Sequence, residues 1–172
     1  MNIEQAISGF TPAILKPGEI LSSGKPSVVT TVLGSCVSVT MHHTASVFGA
    51  ICHCMLPKCA ERKKCVKEPE CREWPKYVEC TIRHMIKKLD ELNILRSEVV
   101  VKLFGGAEML DRTGPNNGHT KTVGAENVRV AKKILAKEGP GIAVADTGGI
   151  IGRKIFFLTH TGEIYLKRLG NE

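Results

Sequence analysis

Hydrophobic positions in the first third of the chain come in short runs with the period of strands. The β-branched run at 26–32 predicts one strand. After Gly34, the alternating run at 36–41 predicts a second, and residues 46–56 predict a third that Pro57 ends. Because only a short turn separates the second run from the third, these two strands are expected to pair as a hairpin.

Two later segments have the three-to-four-residue spacing of helices that bury one face. The first is predicted to open at Trp74-Pro75 and to end at Asn93. Its apolar stripe consists of Val78, Ile82, Met85, Ile86, Leu89 and Leu92. The second covers about 125–138, with Val128, Ala131, Ile134 and Leu135 inward, and Gly139-Pro140 ends it.

The remaining segments complete an α+β pattern. Further strands are predicted at 98–104, 141–146, 153–159 and 163–168, with a hairpin turn at 161–163, a short helical turn up to Asp111, and loops at 58–73 and 112–120. Strands outnumber helices and form hairpins at both ends. The predicted fold is therefore a layered α/β sandwich of mixed, mostly antiparallel sheets flanked by two to three helices. With 172 residues we expect a single domain over 1–172.

Composition indicates an ordinary globular protein. Hydrophobic residues make up 42% of the chain, and no apolar run approaches the roughly 18 residues of a membrane-spanning helix. The first twenty residues carry Glu4 and Glu19 and lack the basic start and apolar block of a secretory signal. The sequence therefore predicts a cytoplasmic protein without membrane insertion.

The net charge of +7 is concentrated in residues 58–88, which hold ten Lys or Arg against five Glu. A basic patch indicates an anionic partner: an acidic protein face, a membrane surface or a nucleic acid. The alternative is an ordinary solvated loop and helix face. Only eight aromatic residues are present, so the stacking platforms of single-strand binders are missing and nucleic acid is not favoured.

Seven cysteines are present, and six of them fall within 52–80. These six are Cys52, Cys54, Cys59, Cys65, Cys71 and Cys80. An odd total without a secretory signal argues against a complete disulfide framework. None of the spacings is the C-x₂-C of a zinc site, so free thiols are favoured over a structural metal, which stays open as the alternative.

Cys36 and His53 are the candidate catalytic residues. Cys36 follows a predicted strand and the turn Gly34-Ser35, where backbone N–H groups are available to stabilise an oxyanion beside the thiol. If 46–56 is a strand, His53 points away from Cys52 and Cys54 and towards a neighbouring element. A buried structural cysteine and a core histidine bonded to the backbone remain the alternatives at this point.

Several blocks in order resemble the chemoreceptor glutamine deamidase CheD family of bacterial and archaeal chemotaxis. They are LKPGEI at 15–20, TVLGSCVSV at 31–39, GAICHCMLP at 49–57, KLFGGA at 102–107, VGAEN at 123–127, DTGGIIGRK at 146–154 and TGE at 161–163. The resemblance therefore runs through nearly the whole chain. The Cys- and Lys-rich stretch 58–73 departs from the short polar loop usual in the family.

The resemblance implies a hydrolase that converts glutamine side chains of methyl-accepting chemotaxis receptors to glutamate through a thioester. It implies Cys36 as nucleophile, His53 as base and Thr30 as the residue that orients His53, with the adjacent Thr31 as the alternative. The backbone of Gly34 and Ser35 would bind the oxyanion, and no metal or cofactor is required.

Two other functions remain open. Family members also associate with a CheC-type phosphatase of the chemotaxis response regulator, so the chain is alternatively a binding partner that regulates such a phosphatase. The third hypothesis is a thiol-rich metal-binding or redox protein centred on Cys52 to Cys80.

Overall fold

The computed structural model describes residues 2–60, 71–108 and 122–170. Within these ranges the chain forms three α-helices and nine strands. The helices are α1 Ile3–Ala6, α2 Val78–Glu91 and α3 Val123–Glu138. The strands are β1 Ala13–Ile14, β2 Ile20–Ser23, β3 Val28–Leu33, β4 Val37–His43, β5 Phe48–Cys52, β6 Val100–Gly105, β7 Ile142–Thr147, β8 Arg153–Leu158 and β9 Ile164–Arg168.

The described strands form two mixed sheets. One has four strands in the order β1-β3-β8-β9, and the other has five in the order β2-β5-β4-β6-β7. Only the pairs β1–β3 and β6–β7 are parallel, and all other neighbours are antiparallel. The predicted α+β sandwich of mostly antiparallel, hairpin-built sheets is confirmed, including the β4–β5 and β8–β9 hairpins.

Two hydrophobic cores separate the fold into three layers. The larger core joins one face of the five-stranded sheet, through residues such as Met41, to α2 and α3, through residues such as Leu89 and Leu135. The smaller core lies between the two sheets and includes Leu33 of β3 and Ile51 of β5. The five-stranded sheet is therefore buried on both faces, which is why every residue of β4 and β5 is buried.

The helix predicted from Trp74 begins later than expected. Residues Trp74–Lys76 form a separate 3₁₀ turn, and α2 begins at Val78 because Tyr77 has an extended backbone that interrupts the helical path. The predicted apolar stripe is buried from Val78 to Leu89, whereas Leu92 lies beyond the helix end and is 45% exposed.

Helix α3 begins two residues before the predicted boundary. The Thr122 side chain caps it by accepting a hydrogen bond from the Ala125 N–H, at 3.1 Å. The short strands β1 and β2 were not predicted. The predicted helical turn up to Asp111, the loop at 112–120 and most of the 58–73 loop lie outside the described residues.

Leu89→Ala should lower the free energy of unfolding by about 2–5 kcal/mol, because it opens a cavity between α2 and the five-stranded sheet. Leu92→Ala removes the same atoms from an exposed position and should change it by no more than about 0.5 kcal/mol. Chemical denaturation followed by circular dichroism measures both. Equal losses in the two variants would contradict the layer arrangement.

Candidate active site

Cys36 lies in a three-residue loop between the end of β3 at Leu33 and the start of β4 at Val37. All three carbonyl groups of this loop accept hydrogen bonds. The Gly34 carbonyl is bonded by the Ala107 N–H and the Cys36 carbonyl by the Gly106 N–H, each at 2.8 Å. The Ser35 carbonyl accepts from the Asn127 side chain at 3.0 Å. The loop is therefore held through its carbonyl groups.

These carbonyl contacts fix the direction of the neighbouring N–H groups. In a planar trans peptide, the C=O of one residue and the N–H of the next point in opposite directions. The N–H of Ser35 therefore points away from Ala107, and the N–H of Cys36 points away from Asn127. The structure thus fixes the direction of two N–H groups beside the thiol, and the oxyanion role of the Gly34 and Ser35 backbone stays a prediction.

Gly105 allows β6 to approach the Cys36 loop closely. Its φ of 107° lies in the region that favours glycine, and a Cβ there would overlap the Cys36 carbonyl oxygen. At α3, a Cβ on Gly124 would lie 2.7 Å from the Ala107 carbonyl oxygen. Gly105 and Gly124 therefore have to lack side chains for the Cys36 loop to be held in place.

The pairing of β4 with β5 places Cys36 and His53 on one face of the sheet. Val37 and Cys54 exchange backbone hydrogen bonds of 3.0 and 2.9 Å, which continues the β4–β5 register past Cys52. In that register Ser38 lies opposite His53, and Cys36, one residue before β4, lies on the adjacent diagonal. Cys36 packs against the core between the sheets.

His53 faces β3, away from the cysteines beside it in sequence. Its Nδ1 lies 2.7 Å from the Thr31 hydroxyl oxygen, whereas Cys52 and Cys54 belong to the helix-side core. The predicted opposite orientation of His53 and its neighbours is confirmed. Its exposed fraction is 3%, so the imidazole is held in a largely dry environment.

The hydrogen bonds of Thr31 determine which nitrogen of His53 carries the proton. The Thr31 hydroxyl donates its single proton to the Leu15 carbonyl at 2.8 Å, so it accepts a hydrogen bond from Nδ1–H of His53. His53 Nε2 is then unprotonated, and it is buried with no hydrogen-bond partner among the described residues. Nε2 is therefore the nitrogen that can accept a proton.

The orienting contact predicted for Thr30 is made by Thr31. The Thr30 hydroxyl donates to the Ile155 carbonyl of β8 at 3.0 Å and makes no hydrogen bond to His53. Successive side chains of a strand point to opposite faces, so only one of the two threonines can face the imidazole. The prediction for Thr30 is corrected on this point: Thr31 makes the hydrogen bond to His53, and Thr30 bonds Ile155.

Burial opposes charge on both candidate catalytic groups. It raises the pKa of the Cys36 thiol, although the residue's own backbone N–H acts in the opposite direction. Burial also lowers the pKa of His53, with the Leu15 carbonyl and Glu19 as smaller opposing influences. Burial therefore favours the neutral form of both groups.

A cavity of about 400 Å³ adjoins the Thr31–His53 pair. Its wall is mainly apolar and carries two lysines. The lining residues are Ile14, Leu15, Lys16, Pro17, Thr30, Thr31, Val32, His53 and Lys154. Of these, Ile14 is 74% and Val32 52% exposed. The site thus borders an apolar surface flanked by ammonium groups.

The other described cysteines do not share this setting. Cys52 and Cys54 are fully buried on the helix side, where the Cys54 thiol donates to Cys52 Sγ at 3.6 Å. Cys59 and Cys71 are half-buried free thiols. Within 2–60, 71–108 and 122–170, no group of three or more His, Cys, Asp or Glu is arranged to hold a metal ion. Cys65 lies outside these ranges.

The basic stretch 58–88 is less cationic than its sequence indicates. On α2, Arg83 pairs with Glu79 and Glu138, and Lys87 and Lys88 both approach Glu91. These pairs neutralise part of the positive charge at the helix surface. Residues 61–70, which hold four of the ten cations, are outside the described part of the chain.

Asn127 is a site residue that the sequence interpretation did not single out. It is fully buried in α3, and its side-chain nitrogen donates to both Ser35 O and Met55 O at 3.0 Å. The available signal was its position: Asn127 lies four residues before Ala131 and seven before Ile134, on the apolar stripe of the predicted helix. A polar residue on a buried stripe needs a hydrogen-bond partner.

A thiol on a glycine-containing loop, with an imidazole at the end of the neighbouring strand that a hydroxyl fixes in one tautomer, is an arrangement found in cysteine-dependent hydrolases. Comparison with known proteins identifies the family. The family described as "CheD chemotactic sensory transduction" matches residues 55–168. The chain belongs to the CheD family.

Curated relatives match over most of the chain. "Probable chemoreceptor glutamine deamidase CheD 2" of Geobacter sulfurreducens is 46% identical over 155 residues, which cover 90% of this chain and 88% of that protein. "Probable chemoreceptor glutamine deamidase CheD" of Maridesulfovibrio salexigens is 37% identical and covers 94% of each chain. A Methanococcus vannielii protein of the same name is 29% identical, over 92% of this chain and 95% of its own.

Among solved structures, the Bacillus licheniformis hypothetical protein YfiH superposes with a TM-score of 0.44 at 12% identity, covering 77% of this chain and 49% of that one.

No helix in the described ranges is long and apolar enough to cross a membrane.

Alkylation of Cys36 by iodoacetamide should accelerate with pH through a midpoint above that of an ordinary cysteine, because burial raises the thiol pKa. Mass spectrometry of the Cys36-containing peptide gives the rate, and the same peptide in guanidinium-unfolded protein is the control. Rapid alkylation near pH 6 in the folded protein alone would instead indicate a thiolate–imidazolium pair and contradict the neutral resting state.

Proposed function

We propose that this chain hydrolyses glutamine side chains of methyl-accepting chemotaxis receptors to glutamate, releasing ammonia, from a site within one domain. Membership of the CheD family supports this proposal, as do the names of the relatives. One structural observation carries it. The Thr31 contact fixes the proton of His53 on Nδ1 and leaves Nε2 as a base on the sheet face that Cys36 shares.

In the proposed first half-reaction, His53 Nε2 takes the proton from Cys36 Sγ as the sulfur attacks the amide carbon of the glutamine. The negative charge that develops on the amide oxygen is received by the N–H groups of Ser35 and Cys36. The protonated His53 then gives its proton to the departing nitrogen. Ammonia leaves, and the acyl group remains on Cys36 as a thioester.

In the second half-reaction, water replaces ammonia. His53 Nε2 takes a proton from the water as its oxygen attacks the thioester carbon, and the C–S bond breaks as the tetrahedral intermediate collapses. The proton returns from His53 to the Cys36 sulfur, and glutamate is released. The pair is again neutral, so each cycle begins and ends in the state that burial favours.

The depressed pKa of His53 suits this cycle. Burial disfavours the imidazolium, so at neutral pH the residue is held as a free base. The hydroxyl of Thr31 accepts the Nδ1 hydrogen bond, a role that a carboxylate plays in serine-protease triads. A neutral acceptor stabilises the imidazolium less than a carboxylate does, which keeps proton return to the leaving nitrogen favourable.

Cys36→Ala should abolish conversion of receptor glutamine to glutamate, because it removes the thiol that forms the proposed thioester. His53→Ala should slow it by about 10²–10⁴-fold. Mass spectrometry of receptor fragments and ammonia release measure both. The double variant should be no slower than Cys36→Ala, because the two groups act as a unit.

Deamidation that persists in Cys36→Ala would overturn the proposal. Alternatively, wild-type protein that converts no glutamine but changes the activity of a CheC-type phosphatase, equally well with Cys36→Ala, would favour the regulatory role over catalysis.

Thr31→Val should lower kcat between about 10- and 100-fold, because the imidazole loses the hydrogen bond that fixes Nδ1. Thr30→Val is the matched control on the adjacent position of β3. It loses a buried hydrogen bond to Ile155, which costs about 1 kcal/mol of stability, and should retain kcat. A larger loss of kcat in Thr30→Val would restore Thr30 as the orienting residue.

A further inference from the structure

Asn127 connects the two segments that carry the candidate catalytic groups. Its side-chain nitrogen donates one hydrogen to Ser35 O, directly before Cys36, and one to Met55 O, two residues after His53. Both distances are 3.0 Å, and the residue has no exposed surface. A single amide thus bridges the nucleophile loop and the end of the histidine segment from the α3 side.

We propose that Asn127 is a positioning residue for deamidation, which orients the Ser35–Cys36 peptide towards the reacting carbonyl and fixes the spacing of Cys36 relative to His53. The proposal rests on the function proposed above. It goes further because it assigns the geometry of the oxyanion-binding peptide to a helix residue that does not itself contact the substrate.

The orientation follows from peptide planarity. Asn127 holds the Ser35 carbonyl, so the Cys36 N–H of the same peptide unit must point away from α3. A hydrogen bond accepted by the carbonyl also polarises the peptide and strengthens its N–H as a donor. The same N–H acts to lower the pKa of the Cys36 thiol, in opposition to burial. Release of this peptide should therefore affect both the oxyanion and the sulfur.

The chemistry of the contact requires a primary amide. Two carbonyl oxygens face one nitrogen, and only a group with two hydrogens on that nitrogen can donate to both. The amide oxygen is buried and has no hydrogen-bond partner among the described residues. The side chain therefore leaves one buried acceptor unsatisfied, and its two donor hydrogen bonds have to offset that cost. Asp has the same shape and, when ionised, presents oxygen to both carbonyls.

The approach of α3 to the loop provides the support that positioning needs. A Cβ on Gly124 would come within 2.8 Å of the Gly106 carbonyl oxygen, so the start of α3 lies against the segment that bonds Cys36 O. Asn127 follows one helical turn later. Its place relative to Ser35 is thus set by backbone packing at Gly124.

The test compares Asn127→Ala and Asn127→Asp with Thr159→Val. Thr159 is also fully buried, and its hydroxyl donates to Lys25 O and accepts from Ser27 N, both at 3.0 Å. It bridges a loop at the start of β3, whereas Cys36 follows the end of that strand. Thr159→Val therefore reports what loss of a buried tether costs without a change at the site.

Steady-state deamidation of receptor fragments and the pH profile of Cys36 alkylation are measured well below the unfolding temperature of each variant. Both Asn127 variants should lower kcat by up to about 100-fold with little change in KM, because the contact acts on the transition state. The alkylation midpoint should move to higher pH, since the thiol loses the fixed N–H. Thr159→Val should keep the wild-type kcat and midpoint.

The proposal is overturned if the Asn127 variants retain kcat and the alkylation midpoint, or if Thr159→Val changes both to the same extent. A rise in KM alone would also overturn it, by indicating a substrate contact. If wild-type protein converts no receptor glutamine, the proposed function fails. The alkylation profiles then still decide whether Asn127 positions Cys36.

Discussion

The backbone pairing of Val37 with Cys54 is the constraint on which both the core and the candidate site depend. Side chains alternate between faces along β4 and β5, so this register decides which residues meet α2 and α3 and which meet β3. A slip of one residue would exchange the two sets. It would send His53 into the helix-side core and turn the apolar side chains of that core towards the other sheet. The burial of both faces therefore keeps the candidate catalytic groups together.

The three layers contribute separate parts of the site. The helix layer holds the nucleophile loop by its carbonyl groups, through Asn127 and the contacts of Gly124 with the Gly105-Gly106 segment. The four-stranded sheet supplies Thr31, which holds the imidazole. The middle sheet carries the thiol and the imidazole themselves. Cys36 precedes β4 and His53 follows β5, so neither side chain is positioned by a strand alone and their arrangement depends on all three layers.

Hydrophobic periodicity was sufficient to predict most of this architecture. The long strands and both long helices have clear periods, and their positions were correct to within a few residues. The start of α2 was predicted four residues too early, at Trp74, because a proline fits a 3₁₀ turn as well as the first turn of an α-helix. β1 and β2 contain two and four residues, too few for a period to be seen.

The site was predicted in part, for reasons that particular residues make clear. The motifs around Cys36 and His53 predicted a catalytic pair, which stays a prediction, and strand alternation correctly gave the face of His53. The choice between Thr30 and Thr31 was not available from the pattern, because β3 is buried on both faces over most of its length and both residues are suited to a buried strand. Asn127 was missed because its partners are backbone carbonyls 92 and 72 residues away.

The burial of Cys36 has a consequence for the chemical durability of the protein. Peroxides and similar oxidants attack a thiolate much faster than a thiol, and oxidation beyond the sulfenic acid is irreversible for most proteins. In the proposed mechanism Cys36 ionises only as its proton passes to His53, so between substrates the sulfur would stay in its least oxidisable form. The partial burial of Cys36 would thus protect the sulfur between turnovers.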